Sequence, residues 1–167
     1  MSLSLTERLI LRNQYLILEK LYPDEAESLS QTRTALEMGF TRQYGDLFES
    51  LCDEVSEETQ QEVIDVLNMY RAMLACYQDL KDRKGISEQD LRFPGFDANE
   101  ETSHYSYANY MVKTLGRFQE SDPGKNETVN SHFPQLRKYR SMLREWNSAG
   151  ARTLTKEQLL RIIEADR

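Results

Sequence analysis

Apolar residues recur at helical spacing in the first fifty residues of the chain. The first stripe follows Ser4 and Glu7, which match a capping box, and consists of Leu5, Leu9, Ile10, Leu16 and Ile17. Because Pro23 cannot continue a helix, we expect this helix to end just before it and a second helix to start there. Gly39 suits the end of the second helix, and a shorter helix is expected after Thr41.

The strongest predicted element is a helix from Ser56 to Arg83. Its apolar stripe consists of Val63, Val66, Leu67, Tyr70, Met73, Leu74, Tyr77 and Leu80. At about 1.5 Å per residue this helix would be roughly 40 Å long, enough to span a domain of this size. One flank of the stripe can pack on the first helix, but the other needs a second partner. That partner is either the C-terminal half or the same helix of another subunit, and we expect a homodimer.

The C-terminal half predicts shorter helices separated by loops. Ser87 can cap a single turn, and Asp97 with Glu100 forms a weaker capping box. The helix after it should turn inward the residues Tyr107, Ala108, Met111, Leu115 and Phe118. Residues 119–133 are polar and form the one long loop, after which Pro134 can start a helix. Thr155 caps a last helix with Gln158 as its reciprocal partner.

No segment alternates with a period of two, so the fold class predicted is all-α. We expect a multi-helix bundle of about seven to eight helices with one long central helix. The 167 residues suit a single domain, residues 1–167, and its alternative is two small sub-bundles, residues 1–84 and 85–167, that share a core.

Charge is unevenly distributed along the chain, whose formal net charge is −7. Residues 1–90 hold 9 Lys or Arg against 18 Asp or Glu, whereas the remainder is slightly basic. The acidic half should repel a phosphate backbone, so nucleic acid is disfavoured as a partner. No apolar run approaches the roughly 18 residues of a membrane span, and no secretory leader pattern is present. Two cysteines, Cys52 and Cys76, make no disulfide framework, so we expect a cytoplasmic protein without a membrane association.

Residues for metal or acid–base chemistry are few, because His104 and His132 are the only histidines. Glu101 and His104 have the Glu-x-x-His spacing of a di-iron bundle, but the position that would pair with His132 is Val129. A mononuclear site with Asp97 is the alternative, and an exposed helix N-terminus is the favoured interpretation. We therefore expect no metal, no cofactor and no catalytic residues.

Two clusters are candidates for binding. The loop 93–97 and the following helix carry aromatic and charged residues that can line a ligand cleft: Phe96, Asp97, Tyr105, Tyr107 and Arg117. The competing interpretation, ranked first, is that the aromatic residues fix this loop onto the bundle. A basic stripe that can hold an anion or an acidic partner consists of Arg137, Arg140 and Arg144. Its alternative is a solvated face paired with nearby acids.

Several short segments together resemble the bacterial YfbU family. They are Arg8-Leu9-Ile10-Leu11, Asn13-Gln14-Tyr15, Ile64-Asp65, Met69-Tyr70, Gly95-Phe96-Asp97, Met111-Val112, Gly116-Arg117, and Met142-Leu143 with Trp146. The resemblance extends from about Leu5 to Ile163, although Pro94 stands where familiar members have leucine. It implies a small, cytoplasmic, helical bacterial protein without an established activity, and so supplies no catalytic residues.

These observations favour a non-enzymatic protein that acts through protein–protein contacts as a homodimer. The alternative is an enzyme or small-ligand-binding protein that uses a pocket around Phe93–Arg117. A nucleic-acid-binding regulator is the more distant alternative.

Overall fold

The computed structural model describes residues 2–125, 127–150 and 153–165. The α-helices in these ranges are α1 (Leu5–Leu21), α2 (Ala26–Met38), α3 (Glu57–Asp79), α4 (Thr102–Asn109), α5 (Leu136–Ala149) and α6 (Lys156–Glu164). Short 3₁₀ helices lie at Pro23–Glu25, Thr41–Phe48, Glu88–Leu91 and Gln119–Ser121, and a π-helical turn lies at Tyr110–Thr114. The described residues contain no β-strand, and the predicted all-α fold is confirmed.

Helix ends follow the predicted capping chemistry closely. Ser4 accepts a hydrogen bond from the backbone of Glu7, whose carboxylate in turn accepts from the backbone of Ser4. Thr155 and Gln158 form the same reciprocal pair at α6. Gly39 ends α2 in the left-handed region with φ of +74°. These residues satisfy backbone groups that a helix end leaves unpaired, so local sequence determines the positions of these three helix ends.

The chain divides into two compact units, Met1–Glu54 and Val55–Arg167. This boundary differs from the expected one between residues 84 and 85. The physical reason lies in α3, because its apolar side chains belong to the same core as residues of the C-terminal half. The long helix is therefore the centre of the second unit.

In the first unit, α1 packs against α2. Arg8 donates from Nε to the carbonyl of Leu36 at 2.7 Å and from Nη2 to that of Glu37 at 2.8 Å. Ion pairs also join Arg33 to Glu19 and Arg12 to Glu37. The buried hydrophobic residues described in this unit are Ala35, Leu36 and Tyr44. Polar contacts therefore join the two helices, beside half-buried apolar residues such as Leu11, Leu18 and Leu29.

In the second unit, α3 supplies much of the hydrophobic core and packs against α4, α5 and α6. Its buried residues are Val63, Val66, Leu67, Met69, Tyr70, Met73 and Cys76. The helix ends at Asp79, four residues before the expected Arg83, because Leu80 adopts an extended backbone and packs on the core. Most of the stripe is thus covered within this unit, whereas Leu74 is half-buried and lies outside that core.

The segment after α4 departs from the predicted helical register. Ala108, Met111 and Phe118 are buried as expected, but Leu115 is 43% exposed. The π-helical turn is the reason, because the backbone N–H of Leu115 bonds five residues back to Tyr110 at 2.9 Å. A wider turn rotates later side chains away from the face that a 3.6-residue period would give them.

Across the described ranges, we find no helix that combines the length and the apolar character needed to cross a membrane.

Candidate functional site

The loop 93–97 is fixed to the segment that follows the long polar loop. The backbone N–H of Phe96 donates to the carbonyl of Val129, and that of Ser131 donates to the carbonyl of Phe96, both at 3.1 Å. Gly95 makes this approach possible, since an added Cβ would lie 2.1 Å from the Val129 oxygen and its φ is +96°. The exchange of two backbone bonds holds both segments in one register.

An aromatic cluster packs beneath this loop. Phe96 is fully buried, with its ring 5.6 Å from Phe93 and 5.2 Å from Tyr139 between centroids. Tyr70 meets Phe93 at 5.5 Å in an edge-to-face arrangement, and the Tyr139 hydroxyl donates to the carbonyl of Gly95 at 2.6 Å. This packing agrees with the interpretation in which the aromatic residues hold the loop on the helices.

Asp97 and Glu101 are buried carboxylates at the start of α4. Asp97 accepts from the backbone of Asn99 at 2.7 Å and of Glu100 at 3.1 Å. Its reciprocal partner is Glu101 rather than the expected Glu100, because Glu101 Oε2 accepts from the Asp97 N–H at 2.9 Å. Two acids at the start of this helix thus satisfy its backbone donors.

Glu101 also reaches a second helix. Its Oε1 accepts from the backbone of Gln135 at 2.6 Å and of Leu136 at 2.7 Å, at the start of α5. The interpretation of an exposed helix N-terminus at Glu101 and His104 is therefore wrong, because Glu101 is 5% exposed and fully engaged. Among the described residues, no group of three or more His, Cys, Asp or Glu side chains has the arrangement of a metal site.

The remaining residues of the predicted ligand cluster lie along α4 and after it. Tyr105 and Tyr107 are half-buried and pack against the core, and the Tyr107 ring lies 6.3 Å from that of Tyr110. Arg117 is exposed. Phe96 lies in the core and Asp97 is buried. Ligand binding by this cluster stays a prediction.

The three arginines of the basic stripe on α5 have different contacts. Arg140 forms a two-pronged ion pair with Glu62 of α3, with distances of 2.7 Å and 3.0 Å. Arg144 donates to the hydroxyl of Ser141, and Arg137 is exposed without an ion pair among the described residues. One arginine of the three is therefore held by an acid, as the solvated-face interpretation expects, and an anion or acidic partner on the stripe stays a prediction.

Glu62 also contacts His104, whose Nε2 lies 2.8 Å from Glu62 Oε2. The hydrogen bonds from Arg140 lower the pKa of Glu62, partial burial opposes this, and His104 adds to it. This network joins α3, α4 and α5 beside the aromatic cluster, since the His104 ring lies 5.4 Å from Phe96. Sequence reasoning missed it because Glu62 and Arg140 are 78 residues apart.

The two thiols differ in environment. Cys52 is exposed, whereas Cys76 is buried and donates from Sγ to the carbonyl of Leu154 at 3.2 Å. Burial raises the pKa of the Cys76 thiol. A buried, protonated thiol has a structural role rather than a nucleophilic one.

An open cleft of about 550 Å³ lies in the second unit, between the Glu88–Leu91 segment, the long polar loop and the start of α5. Its floor includes Tyr70, Phe93 and Pro94, and its polar lining includes Gln89, Asp90, Arg92, Glu120, Asp122 and Lys138. Burial raises the pKa of Tyr70. The cleft has the size of small-molecule sites in proteins. None of the five residues of the predicted ligand cluster lines it.

Fold and site together define an all-α protein with an apolar-faced helical hairpin and, separately, a polar cleft in a helical core. A family model described as the YfbU domain matches residues 1–165. The chain belongs to the YfbU family, as the ordered segments of its sequence indicated.

Proposed function

We propose that the protein acts in the cytoplasm through protein–protein contacts, without chemistry of its own, and that its first partner is a second copy of itself. The contact surface is centred on an apolar strip of α1, Ile10, Ile17 and Leu21, which together with the flanking Leu5 and Leu9 is here called the α1 face. The exposed thiol of Cys52 supports a reducing compartment. The observation that carries the proposal is the exposure of this strip.

Each residue of the α1 face is more than half exposed, from 53% at Ile10 to 80% at Leu5. Successive helical residues are about 100° apart, so Ile10, Ile17 and Leu21 fall within roughly 40° of one another. The residues through which α1 reaches α2, Arg8, Arg12 and Glu19, centre on the opposite side of the helix. Ile10, Ile17 and Leu21 therefore point away from α2, whereas Leu5 and Leu9 lie on the flank nearer α2, beside Leu36 and Glu37.

Charge favours a second copy on this face. The acidic excess of the first unit lies mostly outside α1, which holds three cations and two acids. Arg8, Arg12 and Glu19 are already engaged with α2, which leaves Glu7 and Lys20 as the remaining charges of α1. Two copies can therefore bring these faces together without placing acidic clusters opposite one another.

The first unit exposes a large apolar area. Met38, Phe40, Leu51 and Tyr22 are also more than half exposed, which makes nine such residues with the α1 face. The α1 face alone presents roughly 600 Å², and a standard interface buries about 800 Å² per partner. A unit of 54 residues with three buried hydrophobic residues among those described gains stability when such a surface is covered. A symmetric contact between two α1 helices would cover the largest part of it.

Sedimentation equilibrium tests the proposal, and at micromolar concentration it should give twice 19.6 kDa. The variant Ile17→Asp should dissociate the dimer, because each substitution removes two buried side chains per dimer, about 3 kcal/mol in total or more than 100-fold in Kd. Leu115→Asp is the matched control, since it places the same charge at an exposed leucine of the second unit and should leave the dimer intact.

A monomer mass at every concentration would refute the dimer. A dimer that survives both Ile10→Asp and Ile17→Asp would instead remove the α1 face as its contact surface. Both variants alter exposed positions, so their far-ultraviolet circular dichroism should match that of the wild type.

A further inference from the structure

The charges that line the cleft in the second unit are not matched with one another. Glu120 accepts from Nε of Arg71, and Asp122 accepts from Nζ of Lys113 at 2.7 Å. Neither Arg71 nor Lys113 lines the cleft. Two of its acids are therefore neutralised from outside, and the Lys113 contact lowers the pKa of Asp122 below its usual range.

The cations of the cleft differ from these two acids in their contacts. Arg92 is exposed and Lys138 half-buried, and within the described ranges neither forms an ion pair. Of the two remaining acids, Asp90 accepts from the backbone of Ser87 and has other contacts, while Glu127 is exposed. Arg92 and Lys138 are thus available to a ligand, whereas two of the four acids are paired with cations outside the cleft.

The neutral lining suits a hydroxylated molecule. Gln89 and Thr128 offer a side-chain amide and a hydroxyl to the cleft, and Gln135 offers its amide oxygen, since its Nε2 donates to the carbonyl of Phe133. The Asn130 oxygen is occupied by the backbone of Ala98 and His132. The amide nitrogen of Asn130 is therefore left as a donor. Amides and hydroxyls both donate and accept, as recognition of sugar hydroxyls requires.

We propose that this cleft binds a small phosphorylated sugar or polyol, with Arg92 and Lys138 on the phosphate and the amide side chains on the hydroxyl groups. A phosphate monoester carries close to two negative charges at neutral pH, which two cations match. Arginine presents a planar fork to phosphate oxygens, and lysine acts as a mobile point charge beside it. The volume of about 550 Å³ accommodates such a molecule.

This inference is independent of the dimer, because the α1 face and the cleft are in different units. The probe is glucose 6-phosphate, titrated into the intact protein in an isothermal calorimeter, with glucose and inorganic phosphate as separate titrations. We expect saturable binding of glucose 6-phosphate at a ratio of one per chain. Glucose alone and inorganic phosphate alone should each bind at least 10-fold more weakly. Glucose lacks the phosphate that contacts the two cations, and inorganic phosphate lacks the hydroxyl groups that contact the amide side chains.

The variants Arg92→Gln and Lys138→Gln should each weaken the binding at least 10-fold. Arg117→Gln is the matched control, because Arg117 is an exposed cation outside the cleft and its loss should leave the affinity unchanged. Absence of binding overturns the proposal, as does binding that both cleft variants retain or that the control variant loses equally. Binding of inorganic phosphate as tight as that of the sugar phosphate overturns the assignment of a sugar.

Discussion

The buried carboxylate of Glu101 offers the sharpest test of how the second unit is held together. It accepts three backbone hydrogen bonds, from Asp97 at 2.9 Å, Gln135 at 2.6 Å and Leu136 at 2.7 Å. It therefore joins the loop before α4 to the first residues of α5. The substitutions Glu101→Gln and Glu101→Ala remove these bonds in two steps.

The magnitudes follow from the number of donors left unpaired. In Glu101→Gln, the amide oxygen can still accept from Gln135 and Leu136, but the amide nitrogen faces the N–H of Asp97. One bond to a charged acceptor is then lost, which costs about 1.5–3 kcal/mol. In Glu101→Ala all three donors lose their acceptor, so the loss should rise to about 3–6 kcal/mol, less where water reaches the start of α5.

Urea unfolding followed by the fluorescence of Trp146 measures this loss in the correct unit. It is the single tryptophan of the chain, and it packs against the core of the second unit from α5. Glu100→Gln is the control, because Glu100 is exposed and should change stability by no more than about 0.5 kcal/mol. Equal stability of Glu101→Gln and the wild type would refute the assignment of the three bonds to this carboxylate.

Two further substitutions test the packing around the cleft. Gly95→Ala should destabilise by about 3 kcal/mol or more, because its Cβ would lie 2.1 Å from the Val129 oxygen and alanine is strained at positive φ. Gly45→Ala, whose Cβ meets nothing within 4 Å, is its control, and equal effects would contradict the argument. Arg140→Gln should reduce the pH dependence of stability. The pKa of Glu62 is lowered by folding, so its stabilisation is complete above the ordinary glutamate pKa of about 4.3 and is lost as pH falls through the folded value. Urea unfolding at pH 7 and pH 3 checks this, and an unchanged profile in the variant would contradict it.

The parts of the fold that depend on neighbouring residues were predictable from sequence. Ser4 with Glu7 and Thr155 with Gln158 form capping boxes because both partners lie within one helical turn. Gly39 ends α2 for an equally local reason, its access to positive φ. The all-α fold follows from such signals together with the apolar period of 3.6 residues.

The sequence-based predictions were wrong where a contact with a distant part of the chain determines the local structure. Glu101 looked like an exposed residue at a helix start, but its carboxylate binds the backbone of Gln135 and Leu136, more than thirty residues away. Spacing alone also kept the long helix intact to Arg83, whereas Leu80 leaves it to pack on the core. Helical periodicity describes one element at a time and holds no information on such partners.

The candidate cleft could not have been found from sequence for a related reason. Arg92 and Lys138 are 46 positions apart and belong to no motif, and the polar loop between them carried no pattern beyond its turns. Their availability also depends on two ion pairs formed elsewhere, at Glu120 and Asp122. A charge census counts four acids and two cations among the residues that line the cleft and would predict a cation site. With Glu120 and Asp122 paired outside the cleft, two acids and two cations remain, and this balance removes the argument for a cation site.

The two proposals depend on different physical properties, exposed apolar area in one case and positive charge in the other. Their tests can therefore be separated. The α1 face offers exposed apolar area with almost no uncompensated charge, so its association should be insensitive to salt. The cleft offers two cations without partners among the described residues, so binding of a phosphorylated ligand should weaken as ionic strength rises. Raising the salt concentration from 50 mM to 500 mM should therefore lower the affinity for glucose 6-phosphate and leave the dimer mass unchanged. A dimer that dissociates with salt would show that charged groups, and not the strip of Ile10, Ile17 and Leu21, hold the two copies together.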